Sequence, residues 1–305
     1  MKTASGLAAL SAILVACGVA PATPQLSPTS TPPLYVATAT VPPAPALPTP
    51  EPSPTSAPTA VVCNEANGRL IQTSYPGAVL AKEIPLEVYL PPCYDDGGEE
   101  YPSVILLHGK PLSQADWDDL GADELVDERI RQGTWAPFIL VIPIQPEPLF
   151  SDTDGGPGSY EAEVIQGLLP FVETTFRTRR SSAERAIAGI SRGGVWALEI
   201  AFLNPEIFGQ VAALSPALAL NYARPAYNPL EIARLGAEEI PPRIYLGAGE
   251  TDWARAKTVE LAEALEAHGE GAVFEPVVGG HESVTWQALM PGMFEYLAAG
   301  WPSSP

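Results

Sequence analysis

The sequence predicts a doubly wound α/β domain, with a mostly parallel central sheet and helices on both of its faces. Two observations favour this fold class. Short apolar runs of strand length alternate along the chain with longer amphipathic patterns of helical period. Several of the apolar runs contain no polar position, and strands of that kind are buried on both faces, as in parallel sheets that helices cover.

The predicted elements follow one another in the order that such a fold requires. Seven runs are mainly apolar and too short for a helix, so each predicts a strand. They are residues 86–90, 104–107, 138–142, 186–190, 210–214, 244–246 and 273–278. Helices are predicted, where apolar residues recur at helical spacing, for residues 122–131, 160–176, 194–203, 254–267 and 283–298. Ligands of doubly wound sheets bind beyond the carboxyl ends of the strands, so the residues directly after these runs are candidates for a site.

The first 60 residues differ in composition from the rest. Residues 1–17 hold one lysine and an apolar stretch and end in Leu-Val-Ala-Cys, which predicts an export signal too short to span a membrane. That ending resembles the lipobox of bacterial lipoproteins, in which Cys17 becomes the lipid-modified N-terminus; a plain signal peptide cleaved elsewhere is the alternative. Residues 18–60 are rich in Pro, Thr and Ser and predict a disordered linker. Residues 61–305 are predicted to form one globular domain.

Charge and cysteine content narrow the classes of partner. The chain of 305 residues has a formal net charge of −20, which indicates a solvated surface and argues against a nucleic-acid partner. With Cys17 modified by lipid, Cys63 and Cys93 remain in an exported, oxidising setting, which predicts a disulfide; two independent thiols are the alternative. Neither cysteine lies near a histidine or in C-x-x-C spacing, so neither is expected to bind zinc.

Residues 185–194 contain the most informative motif of the chain. An apolar, strand-like stretch runs into Gly-Ile-Ser-Arg-Gly at residues 189–193, the G-x-S-x-G pattern of a nucleophile elbow, and a helix-like run follows. The glycines are required because a Cβ on Gly189 or Gly193 would collide with a neighbouring strand or helix. The pattern also arises by chance, but its position between a strand and a helix favours Ser191 as a nucleophile.

A serine hydroxyl needs an adjacent base, which is normally a histidine oriented by a carboxylate. Of the three histidines, His281 follows two glycines after the last predicted strand and is the predicted base. His108 precedes Gly109 after a strongly apolar strand and is predicted to shape the loop that binds an oxyanion. His268 ends a predicted helix, where a histidine complements the last carbonyls and the helix dipole.

Two acids follow the sixth predicted strand, Glu250 and Asp252. Asp252 is the preferred orienting acid, with Glu250 left open. The order Ser191, Asp252, His281 is then nucleophile, acid and base, which is the order along α/β-hydrolase chains.

With these motifs in place, residues 61–300 resemble the esterase D and feruloyl esterase-like branch of the α/β-hydrolase superfamily, which also includes S-formylglutathione hydrolases, enterochelin esterases and mycolyltransferases. The matching text is Val-Tyr-Leu-Pro-Pro-Cys-Tyr at 88–94, Tyr-Pro-Ser-Val-Ile-Leu-Leu-His-Gly at 101–109, Arg-Ala-Ile-Ala-Gly-Ile-Ser-Arg-Gly-Gly at 185–194, Asn-Pro-Glu-Ile-Phe-Gly at 204–209 and Gly-Gly-His at 279–281. The resemblance implies an α/β-hydrolase fold and a catalytic role for Ser191 as nucleophile, Asp252 as orienting acid and His281 as base.

The resemblance also implies that the backbone N–H groups of Lys110 and Arg192 bind the oxyanion, since these residues follow the His-Gly pair and the nucleophile. Pro111 has no N–H to donate, which narrows the first assignment to Lys110. The chemistry requires neither a metal ion nor an organic cofactor. Residues 145–160, rich in Asp, Gly and Pro, are expected to form part of the substrate rim.

The predicted function is that of a serine carboxylesterase, in which Ser191 forms an acyl-enzyme that water hydrolyses. An acyltransferase with the same triad and a catalytically silent surface-binding lipoprotein are the alternatives. The expected partners are a small-molecule, cell-wall or polysaccharide-linked ester and, through the lipid anchor, the extracytoplasmic face of the bacterial membrane. Three tryptophans behind strand ends are candidates for an acyl or aromatic pocket, although tryptophans under loops more often only pack: Trp117, Trp253 and Trp286.

Overall fold

The structure is a computed structural model that describes residues 65–111, 113–236 and 240–301. All of these residues belong to one compact unit, Pro58–Pro305. The predicted signal with Cys17, the linker 18–60 and Cys63 lie outside the described residues. Cys93 is disulfide-bonded. Its pairing with Cys63 stays a prediction, because Cys63 lies outside the described residues. No helix of the described part is long and apolar enough to cross a membrane.

The described residues contain an eight-stranded sheet in the order β1-β2-β4-β3-β5-β6-β7-β8. The strands β1 and β2 pair antiparallel, as do β2 and β4, whereas every other neighbouring pair is parallel. The strand bounds are β1 Arg69–Pro76, β2 Glu83–Leu90, β3 Ser103–Leu107, β4 Ile139–Pro143, β5 Arg185–Ile190, β6 Gln210–Leu214, β7 Arg243–Gly249 and β8 Ala272–Val277. The predicted mostly parallel α/β sheet is therefore confirmed, with an antiparallel edge added.

The helices connect these strands and cover the sheet. Their bounds are α1 Ala115–Asp119, α2 Ala122–Arg131, α3 Tyr160–Glu163, α4 Leu169–Thr175, α5 Arg192–Leu203, α6 Pro229–Leu235, α7 Arg255–Ala267 and α8 Ser283–Ala298. A π-helical turn, Val164–Leu168, joins α3 to α4, so the helix predicted for residues 160–176 is one continuous element with a wider turn inside it.

One strand, β1, and two short α-helices, α1 and α6, were not predicted from the sequence. The strand β1 is an edge strand whose residues are mostly half-buried or exposed, so it lacks the continuous apolar run that identified the other strands. The helices α1 and α6 have five and seven residues, which is too short to show a helical period.

The core lies on both faces of the sheet. Successive residues of β3 point to opposite sides: Ile105 and Leu107 join one hydrophobic cluster, and Val104 and Leu106 join the other. Helix α5 packs into the first cluster and helix α8 into the second. This two-sided burial is the reason that several of the predicted strands are apolar at every position.

Candidate active site

Ser191 occupies the sharp turn between β5 and α5. Its backbone has φ 52° and ψ −114°, a conformation that residues with a side chain rarely adopt. Two hydrogen bonds hold this turn: the Ser191 N–H donates to the Leu214 carbonyl at 2.9 Å, and its carbonyl accepts from the Ala217 N–H at 3.0 Å. The strained backbone is thus fixed from both sides by the segment that ends β6.

The flanking glycines are needed for the reason that the sequence indicated. A Cβ on Gly189 would collide with the backbone of Gly193 and Gly194, and a Cβ on Gly193 would collide with the carbonyl oxygens of Leu107 and His108. The second contact shows that the first turn of α5 packs directly against the end of β3. The elbow and the His-Gly loop are therefore neighbours.

Three predicted residues come together in one hydrogen-bonded chain. His281, on the loop after β8, has Nε2 2.9 Å from Ser191 Oγ and Nδ1 2.9 Å from Asp252 Oδ1. With Nδ1–H donating to the carboxylate, Nε2 is left to accept the serine proton. The geometry is that of a nucleophile, a base and an orienting acid.

The environment of Asp252 keeps its carboxylate charged. No part of the side chain is exposed, and Oδ1 also accepts the Ala254 N–H at 2.8 Å. Burial opposes ionisation, but the hydrogen bonds from His281 and Ala254, together with the nearby hydroxyl of Ser215, outweigh it and leave the pKa of Asp252 below its ordinary value. Glu250, the other candidate acid, is exposed to solvent, so the structure places Asp252 and not Glu250 against His281.

Lys110 and Arg192, the predicted oxyanion donors, line the same cavity as Ser191 and His281. Arg192 is the first residue of α5, and the first N–H groups of a helix have no acceptor within the helix. Lys110 follows the His-Gly pair that packs against that helix end. Both residues thus border the cavity that contains the nucleophile, which is where oxyanion donors are required.

Comparison with known proteins agrees with this geometry. The family model described as "Esterase: Putative esterase" matches residues 77–297. The chain belongs to this esterase family.

Two curated relatives show where such domains occur. The chain is 29% identical over 244 residues, 76% of its length, to an endo-1,4-beta-xylanase/feruloyl esterase of Xylanibacter ruminicola. It is 31% identical over 160 residues, half of its length, to an esterase of Mycobacterium tuberculosis. The matches cover 31% and 32% of those proteins, so the chain spans about a third of the length of each of these two relatives.

Solved structures share the fold of this esterase-family domain. A ferulic acid esterase superposes with a TM-score of 0.68 at 20% identity, over 77% of this chain and 99% of that one. An S-formylglutathione hydrolase from Staphylococcus aureus superposes with a TM-score of 0.62 at 17% identity, over 75% and 99%. At such identities the likeness establishes the α/β-hydrolase fold alone.

The cavity beside Ser191 has a volume of about 430 Å³. Two loops supply most of its walls: the first rim segment, residues 145–160 after β4, and the second rim segment, residues 215–228 after β6. The first contributes Phe150, Ser151 and Thr153, and the second contributes Ala217, Leu220 and Tyr222. The expectation that residues 145–160 border the substrate agrees with this lining, whereas the second rim segment carried no motif and was missed.

The three candidate pocket tryptophans have different surroundings. Trp253 lines the cavity and is 46% exposed. Trp286 presents its ring edge to His281, with centroids 5.4 Å apart, but it is buried and does not line the cavity. The candidate pocket role of Trp117 is wrong. Its side chain is fully buried in the core cluster beneath α8, because α1 directs it inward.

His108 and His268 support the framework. Burial lowers the pKa of His108 despite a hydrogen bond with the Gly109 carbonyl, and its neutral ring accepts the Gln145 N–H through Nε2 at 3.0 Å. His108 therefore ties the loop after β3 to the start of the first rim segment. His268 follows the last residue of α7, and its Nε2 lies 3.1 Å from the carbonyl of Arg234 in the last turn of α6. It therefore stabilises the end of α6.

One acidic group of the described residues, Asp118, Asp123 and Glu124, brings ligand atoms within 4.8 Å of one another. Burial and the neighbouring Glu124 raise the pKa of Asp123 to about 7. None of the three lines the cavity beside Ser191, so this group has no part in the chemistry of that site.

Proposed function

We propose that the protein is a serine carboxylesterase that hydrolyses carboxylic esters through an acyl-enzyme on Ser191. The observation that carries this proposal is the unbroken chain of two 2.9 Å hydrogen bonds from Ser191 through His281 to Asp252. Ser191 starts that chain from a strained turn between a strand and a helix, which is where an α/β-hydrolase holds its nucleophile.

Acylation begins when Ser191 Oγ attacks the ester carbonyl carbon and its proton passes to His281 Nε2. The electron pair of the carbonyl moves to its oxygen, which the backbone N–H groups of Lys110 and Arg192 stabilise. The C–O bond to the alcohol then breaks, and the alkoxide leaves with the proton from His281. Asp252 stabilises the imidazolium without taking its proton.

Deacylation repeats these steps with water. His281 Nε2 removes a proton from the water, whose oxygen attacks the acyl carbon, and the returning electron pair expels Ser191 Oγ, which regains its proton. The carboxylic acid is released and the enzyme is restored. An acyltransferase would pass through the same acyl-enzyme with another alcohol in place of water.

The substrate we propose is a small-molecule or polysaccharide-linked ester. The relative whose name is endo-1,4-beta-xylanase/feruloyl esterase supports this class. The cavity wall is mainly apolar, with Phe150, Leu220 and Trp253 beside Ser191, which suits an apolar or aromatic acyl group.

We also propose that the domain is tethered outside the cytoplasm by lipid on Cys17. The support is the sequence of residues 1–17, with its apolar stretch and its Leu-Val-Ala-Cys ending. Metabolic labelling with a fatty acid tests the proposal: Cys17→Ser should abolish the label, and a label that survives this change would refute the anchor.

The activity is tested by treating the purified full chain with a fluorophosphonate probe and assaying 4-nitrophenyl and feruloyl esters. Wild type should label and hydrolyse, Ser191→Ala should do neither, and His281→Ala should lose most of both. Adding an acceptor sugar shows whether acyl transfer competes with hydrolysis. If the wild-type protein neither reacts with the probe nor hydrolyses an ester, the esterase proposal is wrong. The alternative of a catalytically silent surface-binding lipoprotein would then remain.

A further inference from the structure

The side chain of Arg192 crosses beneath both rim segments. Its guanidinium donates from Nε to the Phe150 carbonyl at 3.3 Å, from Nη2 to the Asp152 carbonyl, and from Nη1 to Asn221 Oδ1 at 3.5 Å. Phe150 and Asp152 belong to the first rim segment and Asn221 to the second. One side chain next to the nucleophile thus connects two loops that are about 70 residues apart along the chain.

The residues that the Arg192 guanidinium contacts lie in the cavity wall or directly next to it in the chain. Phe150 lines the cavity itself, and Asn221 lies between Leu220 and Tyr222, which both line it. Leu220 and Tyr222 are 56% and 80% exposed, so few packing contacts hold them in place. The contact from Arg192 to Asn221 therefore adds a side-chain connection to a part of the wall that few packing contacts hold.

Helix α5 holds the guanidinium in place. The guanidinium lies over the ring of Trp196, 5.0 Å from the ring centroid. Trp196 is on the same helix, one turn after Arg192. The Trp196 indole N–H also donates to the Phe150 carbonyl, at 3.4 Å. Two donors from one helix therefore meet at a single carbonyl of the first rim segment.

All three acceptors of Arg192 are neutral oxygen atoms. The carboxyl of Glu199, on the same helix, is fully buried, and burial raises its pKa to about 9 although the Arg192 charge opposes this. At pH 7 Glu199 is protonated and does not compensate the arginine. The guanidinium thus acts through its fork of donors, which a lysine with one ammonium group cannot reproduce.

A second arginine joins the same two segments from outside. Arg224 donates to the Asp154 carboxylate from its backbone N–H at 2.8 Å and from Nε at 2.6 Å. Its side chain is 70% exposed, and such surface ion pairs contribute little. Arg224 is therefore a matched control for Arg192, since it spans the same loops away from the cavity.

We propose that the Arg192 side chain is a specificity-determining positioning residue, which sets the acyl-binding wall beside Ser191 by joining the two rim segments. This role is separate from that of its backbone N–H, which every substitution except proline retains. The inference rests on the proposed esterase function and deepens it, because it identifies what selects the acyl group.

The experiment compares full-length wild type with Arg192→Lys, Arg192→Gln and Arg224→Gln. For each, kcat and KM are measured on 4-nitrophenyl acetate and 4-nitrophenyl octanoate. Both Arg192 variants should lower the octanoate-to-acetate ratio of kcat/KM by about tenfold, mainly through KM for octanoate, because a displaced wall loses contacts with the longer acyl chain. Arg224→Gln should keep the ratio within about twofold.

Hydrogen exchange supplies a readout that does not depend on activity. Amides of the two rim segments should exchange about tenfold faster in both Arg192 variants than in wild type, and at wild-type rates in Arg224→Gln. Two substitutions of different size keep the test valid if Arg192→Gln fails to fold.

The outcomes separate this inference from the proposed function. If wild type hydrolyses both esters and the Arg192 variants keep its ratio, the specificity role is overturned while the esterase function stands. If wild type hydrolyses neither ester, the esterase function fails and the specificity role fails with it. Faster exchange in Arg224→Gln than in the Arg192 variants would assign the connection to the outer ion pair and overturn the inference.

Discussion

Trp253 lies against the imidazole of His281, with ring centroids 4.4 Å apart and ring planes at 36°, although 46% of Trp253 is exposed. The indole covers one face of the base and also lines the cavity. An aromatic face attracts a cation, so it stabilises the imidazolium that forms when His281 takes the serine proton. Trp253 thus connects the wall of the cavity with the base.

Replacing Trp253 by alanine should lower kcat on 4-nitrophenyl acetate by about 2-fold to 30-fold, which corresponds to the loss of about 0.5 to 2 kcal/mol of interaction with the imidazolium. Trp253→Phe keeps an aromatic face and should retain most of the activity. Steady-state kinetics of the two variants checks this. An alanine variant as active as the phenylalanine variant would show that the stacked ring has no part in the reaction.

Asp252→Asn should lower kcat by about three to four orders of magnitude, because an amide cannot hold the Nδ1–H tautomer or stabilise the imidazolium. Glu250→Gln is the matched control, since Glu250 is exposed and lies two residues away; it should keep wild-type kcat. Measuring kcat of both variants on one short ester shows whether Asp252 or Glu250 is the orienting acid. Equal losses in both variants would contradict the geometry at His281.

The Asp252 carboxylate should also affect how the stability of the fold depends on pH in acid. The pKa of Asp252 is lowered in the folded protein, so its charge stabilises the fold above the ordinary value of 3.8 and this contribution is lost as pH falls through the lowered pKa. Urea unfolding between pH 3 and pH 6 should therefore show a shallower acid-side loss of stability in Asp252→Asn than in wild type. Parallel curves would mean that the folded and unfolded states titrate alike.

The sequence predicted the strand ends and the triad because these depend on local patterns. Ser191 lies in a motif, and Asp252 and His281 each follow an apolar run that becomes a buried strand. Helix α2 and helix α8 were predicted with their observed bounds, since their amphipathic patterns begin and end clearly. Position beyond a strand end was enough to bring these residues together.

The cavity wall depends on contacts that no local pattern encodes. Arg192, Phe150 and Asn221 are joined across two loops without periodicity, so only the folded chain reveals their relationship. Trp117 and Trp253 both follow strand ends, yet one is in the core and the other in the cavity. Distance from a strand end does not tell whether a side chain points into the core or into the cavity.

The carboxyl of Glu199 should make the fold less stable as pH rises. Its pKa is raised, mainly by burial, to about 9 in the folded protein, against an ordinary value of 4.5. The folded state therefore holds a proton that the unfolded state releases, and the free energy of unfolding falls between about pH 4.5 and pH 9. At pH 7 this costs at most about 3 kcal/mol.

Glu199→Gln replaces the protonated acid by a neutral group of the same shape, so it should remove that pH dependence and be more stable than wild type at pH 8. Urea unfolding at several pH values measures it, with the exposed Glu250→Gln as a control that should follow the wild-type curve. If Glu199→Gln keeps the wild-type slope, then Glu199 must be ionised in the folded protein. Its charge would in that case compensate Arg192, and the guanidinium would be one half of an ion pair as well as a donor to the rim carbonyls.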